Sequence, residues 1–281
     1  MASSFTLDSF KDFYIDLGLG DKSTRNLAAL HQICKNKEKC WKKNEIPRLE
    51  DGSLDESEWT KISHPWVGEK FQDLKLLCLG INMNNHGGFS ACSDLVKCAC
   101  DKMDKGAKRV RFGKDYQKYA GTLLFHRMGV YSALIAQANG VPVQLDEEER
   151  LPTQKEVVST FDFLAYTNHI KCSPTNNERS KPNQQMWEHC GAFILKKEME
   201  MLRPKVLLIL GTSDNQYQLI NKVLDPNSTE PIYTSGKIEV KQANFGGQPI
   251  KLVIVPHPSA KGGSAKQLMI DMQKALSIKN W

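Results

Sequence analysis

The stretch LKLLCLGINMN, from Leu74 to Asn84, opens with a nearly continuous apolar run and closes on polar residues. Three more apolar runs of similar length occur further along the chain. Such short runs, bounded by polar residues, Gly or Pro, are typical of strands that are buried on both faces of a sheet. The four runs are Leu74–Ile81 (LKLLCLGI), Phe161–Thr167 (FDFLAYT), Lys205–Gly211 (KVLLILG) and Lys251–His257 (KLVIVPH).

Helix-like stretches lie between these runs. In Gly121–Asn139 and Gln185–Leu202 the apolar residues recur at intervals of three and four, which favours amphipathic helices. Strands that alternate with helices predict an α/β fold, here a three-layer α/β/α sandwich around a central, mainly parallel four-stranded sheet. Pro231–Gln242 predicts an additional small hairpin with Ser-Gly at its turn. We expect residues 1–281 to form a single domain, with 1–70 as a less regular segment packed on it.

Composition restricts the cellular setting of the protein. The 281 residues include 38 Lys and Arg against 32 Asp and Glu, a formal charge of +6, which favours a polyanionic partner such as DNA. No apolar run is long enough for a membrane span, and the first residues lack the apolar stretch of a signal peptide. These features predict a soluble, cytoplasmic protein without a membrane partner. No feature indicates a protein partner, and a monomer is expected.

The carboxyl ends of the predicted strands carry polar side chains. Asn82, Asn168 and His257 each stand at or just after the end of one apolar run. Ligands of open α/β sheets bind beyond the carboxyl ends of the strands, so these three side chains are predicted to share a ligand. A histidine at a strand end is also a common structural residue, and asparagine is a common turn residue.

The motifs around these residues resemble one known family. GINMN is similar to the first motif of uracil-DNA glycosylases, whose members read GQDPY, GINPG or GEAPG, and VPHPSA is similar to their second motif, HPS. TNHIKCSPT, a later cysteine and LRPKVLLILG resemble a segment of the iron-sulfur (family 4) members, which read approximately TNVVKCRPP, a second cysteine and LRPKVIVLLG. The similarity extends from about Leu74 to Ser259.

The resemblance implies a monofunctional DNA glycosylase that hydrolyses the bond between a flipped-out pyrimidine and its deoxyribose, leaving an abasic site. In this reaction negative charge develops on the departing base, and a donor aimed at the base oxygen stabilises it. His257 is implied as that donor, and Asn82 as the residue that orients the attacking water. Asn168 is implied to recognise the base, but an amide pairs with uracil in one orientation and with cytosine in the other.

Further substrate contacts follow from the same comparison. Aligning AGTLL with the family's AGQLL places Tyr116 at the position of an aromatic residue that stacks on the extruded base, with Phe112 and Phe89 as rivals. Ile81 belongs to the first motif. Asn84 falls where relatives carry a residue close to C5 of the base, and a polar side chain there favours a base that is enlarged at C5.

The segment after HPS departs from the family, which often carries a Leu wedge there. Here the sequence is AKGGS, in which two glycines allow backbone amides to approach a phosphate beside a lysine. The expected DNA contacts are Ser259, Lys261, Gly262 and Gly263.

Eight cysteines, in a reducing compartment, are expected to be thiols or metal ligands. Cys172 and Cys190 match two of the family's four ligands to a [4Fe–4S] cluster, and Cys34 with Cys40 are the candidates for the other two. Five residues separate Cys34 from Cys40, where the family has two, so Cys92, Cys98 and Cys100 stay rivals for that pair.

Three other functions stay open. The first is an anti-phage glycosylase specific for hydroxymethylated or glucosylated cytosine. The second is a catalytically silent DNA-binding module of the same fold, a reading motivated by Met83 and Asn84 in the first motif. A nucleotide-binding α/β enzyme is disfavoured because neither GxxxxGK[ST] nor GxGxxG occurs.

Overall fold

Seven strands build the sheet of the computed structural model, which describes residues 7–16, 50–52, 65–82, 120–143, 159–171, 184–211, 213–257 and 265–278. The strands are β1 (Trp66–Val67), β2 (Leu76–Asn82), β3 (Leu164–Ile170), β4 (Val206–Leu210), β5 (Glu230–Ser235), β6 (Ile238–Phe245) and β7 (Gln248–Val255). Within these described ranges their order across the sheet is β1-β3-β2-β4-β7-β6-β5.

The pairs of β4 with its two neighbours are parallel. Leu79 of β2 pairs with Ile209 of β4, and Ile209 is also in register with Ile254 of β7. All five residues of β4 are buried, which explains its unbroken apolar sequence, because both faces of a central parallel strand are covered.

A hairpin extends the sheet beyond β7. β5 and β6 pair antiparallel up to Ser235 and Ile238, and β6 pairs antiparallel with β7. Gly236 in the turn has φ +58, the left-handed conformation that two-residue hairpin turns favour for glycine. The predicted hairpin is therefore present, but its turn is at Gly236 and Lys237, one residue later than the predicted Ser235 and Gly236.

The α/β class is confirmed, but the mainly parallel, four-stranded sheet is not. The four predicted strands are β2, β3, β4 and β7, and they are neighbours in the order β3-β2-β4-β7. The sheet is mixed and has seven strands in the described part of the chain, because a two-residue strand borders β3 and the hairpin borders β7. The three-layer arrangement stays a prediction.

Strand β3 begins and ends later than its apolar sequence predicts. Thr160–Phe163 forms a 3₁₀ turn, and the Phe161 ring packs edge-on to Phe125 with centroids 6.5 Å apart. The strand then continues through Ile170. As a result, Asn168 lies within the strand, whereas the sequence pattern predicted it just after the strand's end.

Both stretches that were predicted to be helical are helices, although residues 127–136 of the first are buried on every side. The stretch predicted over Gly121–Asn139 is a helix over Ala120–Ala138, and the helical run 184–202 contains nine π-helical residues in its middle. The helices are α1 (Leu7–Asp16), α2 (Phe71–Leu74), α3 (Ala120–Ala138), α4 (Gln184–Met186), π1 (Trp187–Leu195), α5 (Lys196–Leu202), α6 (Ser213–Lys222) and α7 (Ala265–Leu276). Among the described residues, no helix is both long and apolar enough to cross a bilayer.

The chain divides into two compact units. The first contains Met1–Trp66, Gly80–Ser93 and Thr167–Leu202, and the second contains Val67–Leu79, Asp94–Tyr166 and Arg203–Trp281. The described part of the first unit is α1, residues 50–52 and 65–66, the carboxyl ends of β2 and β3, and the helical run 184–202. In the second unit α7 packs against α3 and against β5 and β6. The single domain over 1–281 stays a prediction.

Candidate functional site

Two predicted site residues lie on neighbouring strands of the first unit. Asn82 is the last residue of β2, directly after Ile81, and Asn168 is the fifth residue of β3. β2 and β3 are adjacent in the sheet. Asn168 is 2% exposed, and a buried amide is directional because it has both a donor and an acceptor to satisfy.

The odd-numbered residues at the end of β3 face the helical run 184–202. The His169 ring meets Trp187 edge-on with centroids 4.7 Å apart, and a Cβ on Gly191 would lie 2.1 Å from His169 Nε2. Position 191 therefore requires glycine at this close contact. Because side chains alternate along a strand, Asn168 is directed to the other face.

A fully buried polar cluster joins β3 to the helical run and to α1. It consists of Tyr14, Thr167, Lys171 and Glu198, and we call it the Lys171 cluster. Lys171 Nζ lies 2.6 Å from Glu198 Oε2, with side chains 1% and 0% exposed. Lys171 also donates to Thr167 Oγ1 at 2.7 Å and to the backbone oxygen of Asn168 at 2.5 Å. The ammonium thus has an acceptor for each of its three protons.

The Glu198 carboxylate is satisfied in the same way. Tyr14 donates its hydroxyl to Oε1, and Thr167 donates to Oε2 at 3.0 Å. Burial, followed by the Glu198 charge, raises the pKa of Tyr14 well above its usual range, so this phenol stays a donor. Burial lowers the pKa of Lys171, while Glu198 and, to a smaller extent, Cys190 oppose that change.

The charged residues of this cluster carry no role in the sequence analysis, although their positions contain a signal. Glu198 lies in the stripe Leu195, Glu198, Met199 and Leu202, whose other members are apolar and all of which are buried. A carboxylate in such a stripe needs a buried cation. Lys171 supplies that cation, and it belongs to the quoted motif TNHIK.

His257 lies two residues beyond the end of β7, in the second unit. It stands three residues past Ile254, whose partner in β4 is Ile209. The His257 side chain is half-buried. Burial lowers its pKa below the ordinary 6.5, so the imidazole is neutral at pH 7.

Cys190, one of the four predicted cluster ligands, is buried in π1, 6% exposed. Within the ranges that the structure describes, no group of three or more His, Cys, Asp or Glu residues could hold a metal ion. The Asn82 side chain lies outside the described part of the chain. The same is true of the remaining predicted site residues, which are Cys34, Cys40, Asn84, Phe89, Phe112, Tyr116, Cys172, Ser259, Lys261, Gly262 and Gly263.

Asn82 and Asn168 lie on two neighbouring strands of this α/β sheet, and the His257 imidazole follows a third strand. Sheets of this kind form a class of folds that bind ligands at their strand ends. Comparison with known families makes the class specific. The chain belongs to the uracil DNA glycosylase superfamily, whose family model matches residues 112–273. A search of curated proteins found no significant match.

Superfamily membership supports a DNA glycosylase-like function, with DNA as the partner. The matched residues include Asn168, Cys190 and His257, and they begin after the GIN motif that contains Asn82. They also begin after α1, although Tyr14 of α1 completes the Lys171 cluster.

The lowered pKa of His257 gives a prediction for its titration. We expect the His257 imidazole to titrate with a midpoint below 6.5, measured by NMR of ring C–H signals and assigned by their loss in His257→Gln. As the pH falls, the unfolded histidine takes up a proton at a higher pH than the native one does. The contribution of His257 to the free energy of unfolding is therefore fully present above pH 6.5 and is lost as the pH falls through the native pKa. A midpoint at or above 6.5 would contradict the assignment.

Proposed function

We propose that the protein is a monofunctional DNA glycosylase that hydrolyses the N-glycosidic bond of a flipped-out uracil or C5-modified pyrimidine. The observation that carries this proposal is the pair of Asn168 and His257 inside the segment that matches the superfamily. Asn168 is a buried, directional amide, and His257 is a half-buried imidazole that burial keeps neutral. These are the chemical features that base recognition and departure of the base require.

The neutral state of His257 matters for departure of the base. As the glycosidic bond breaks, its electron pair moves onto the pyrimidine and is delocalised onto an exocyclic carbonyl oxygen of the base. A neutral imidazole donates an N–H hydrogen bond to that oxygen and stabilises the developing anion without becoming a net anion itself. The water then adds to the sugar carbon that carries the positive character, and its proton passes to solvent.

Asn82 orients this water in our proposal. The support is its position as the last residue of β2, within the GIN motif. An amide accepts a hydrogen bond from water but is a much weaker base than a carboxylate. We therefore expect slow chemistry that depends on positioning of the water.

Asn168 reads the Watson–Crick edge of the base. Its side-chain oxygen accepts from N3–H of uracil, and its NH₂ donates to O4. The reversed amide serves cytosine, so Asn168 does not by itself select the substrate. Asn84 near C5, together with Ile81, extends the choice to C5-modified pyrimidines, including the hypermodified cytosines that an anti-phage enzyme would remove.

The remaining substrate contacts follow from sequence alignment. Tyr116 is proposed to stack on the extruded base, with Phe112 and Phe89 as alternatives. The segment with Ser259, Lys261, Gly262 and Gly263 is proposed to bind the DNA backbone, because a lysine beside glycine amides suits a phosphate.

A [4Fe–4S] cluster on Cys34, Cys40, Cys172 and Cys190 is the cofactor we propose. The support is the resemblance of the TNHIKC segment and its later cysteine to the iron-sulfur members, together with the burial of Cys190. Four thiolates are the usual ligands of such a cluster. When bound, the cluster would be structural and take no part in hydrolysis.

Substitution of the two proposed catalytic residues tests the enzyme proposal. We expect Asn82→Ala and His257→Ala each to slow abasic-site formation by roughly 10² to 10³-fold, the typical effect of removing one transition-state donor. The assay incubates oligonucleotides that carry uracil, 5-hydroxymethyluracil or 5-hydroxymethylcytosine, cleaves abasic sites with alkali and measures the product. DNA affinity should change little.

Gln248→Ala is the control for this assay, since Gln248 is an exposed, uncharged residue at a hairpin turn. Wild-type protein that binds DNA but releases no base from any of these oligonucleotides would contradict the enzyme proposal. That result would favour the catalytically silent DNA-binding module.

Iron analysis tests the cluster. We expect anaerobically purified protein to contain about four iron atoms per chain, as a [4Fe–4S] cluster requires, and Cys190→Ser to lose most of them. Cys78→Ala is the matched control because Cys78 is a fully buried cysteine of β2, 0% exposed. Iron-free wild-type protein, or a Cys190→Ser variant with wild-type iron content, would refute the assignment.

A further inference from the structure

The Lys171 ammonium makes an unusual choice of partners. Two of its three protons go to side chains, Thr167 and Glu198, and the third goes to the backbone oxygen of Asn168. That oxygen belongs to the residue that reads the base in the proposed function. The ammonium is therefore attached directly to the backbone of the recognition residue.

The attachment is rigid because each member of the cluster is held from another side. Glu198 is fixed by the Tyr14 hydroxyl of α1 and by Thr167, which precedes Asn168 in β3. Charge-assisted hydrogen bonds in a water-free environment are short and strong. The Lys171 side chain, of a type that is normally flexible, is thus held in one conformation and connects β3 to the helical run 184–202.

The geometry of β3 separates the Lys171–Glu198 ion pair from the proposed ligand. Thr167 and Lys171 both bond to Glu198 of the helical run. His169 faces the same run and lies against Trp187 and Gly191. Alternation directs the Asn168 side chain to the opposite face. The helical run can therefore hold the backbone of Asn168 from the face of β3 that is opposite to the Asn168 side chain.

We propose that the Lys171 cluster positions Asn168 for base recognition, with Lys171 and Glu198 acting as positioning residues through the Asn168 carbonyl oxygen. This inference rests on the proposed function and deepens it. An apolar pair of similar volume can stabilise a protein as well as a buried ion pair does. What the ion pair adds here is a fixed direction for the Asn168 backbone carbonyl. That direction in turn fixes the orientation of the Asn168 side-chain amide.

The test compares two affinities in each variant. One probe is a duplex containing 2′-fluoro-arabinouridine, whose fluorine resists hydrolysis, and the other is the same duplex with a tetrahydrofuran abasic site. The variant is Lys171→Met with Glu198→Leu, which removes both charges together. We expect the ratio of uridine affinity to abasic affinity to fall roughly 10- to 100-fold, the range of one bidentate base contact.

The matched control is Lys197→Met with Glu200→Leu. This pair belongs to the same helical run but is exposed, with side chains 47% and 41% accessible, and its removal should leave the ratio unchanged. Asn168→Ala should lower the ratio as much as the buried exchange does. Combining the two should lower it no further, because the cluster acts through Asn168.

A buried exchange that leaves the ratio at its wild-type value, or that adds its full effect to Asn168→Ala, would overturn the inference. If the exchanged protein does not fold, Thr167→Val gives the answer, since it removes one acceptor of Lys171 at constant shape. It should lower the ratio by a smaller factor, and an unchanged ratio would again overturn the inference. Failure of the proposed function has a different signature, namely that wild-type protein releases no pyrimidine at all.

Discussion

The ion pair between Lys171 and Glu198 is the constraint on which the first unit depends. Both side chains are almost inaccessible to water, and their charged atoms lie 2.6 Å apart. Removing two ions from water costs several kcal/mol each unless every proton and lone pair finds a partner. That requirement brings together β3, the helical run and α1, because each contributes a partner to the pair.

The same constraint explains how one short strand serves packing and recognition at once. The face of β3 that carries Thr167 and His169 is fully used by the helical run, including the close approach that only Gly191 permits. The opposite face is left to Asn168. Packing and chemistry therefore alternate residue by residue, and a shift of register by one would exchange them.

Much of the fold could be predicted from sequence because its signals are local. The apolar runs gave the four neighbouring strands, and the periodicity of Ala120–Ala138 gave its helix. The start of β3 was misplaced because the aromatic Phe161 begins the apolar run although it packs in a 3₁₀ turn. The strand count was too low because a two-residue strand has no periodicity to detect and because the predicted hairpin was not assigned to the sheet.

The site was predictable only where motifs mark it. Asn168 and His257 were predicted from motifs that resemble those of the family, and both lie in the segment that the family model matches. The partners of Lys171, in contrast, depend on contacts between distant parts of the chain. Tyr14 and Glu198 are 184 residues apart, and no sequence pattern links them. Only the stripe that contains Glu198 shows, in retrospect, that a buried charge needs a partner.

The most direct measurement of this account is the free energy of unfolding of Lys171→Met, alone and combined with Glu198→Leu. Removing one partner leaves an uncompensated buried charge, so we predict a loss of about 3–5 kcal/mol for the single change and recovery of most of it in the combined variant. A single change that costs no more than Lys197→Met, at an exposed pair on the same helical run, would contradict the central role of the buried pair.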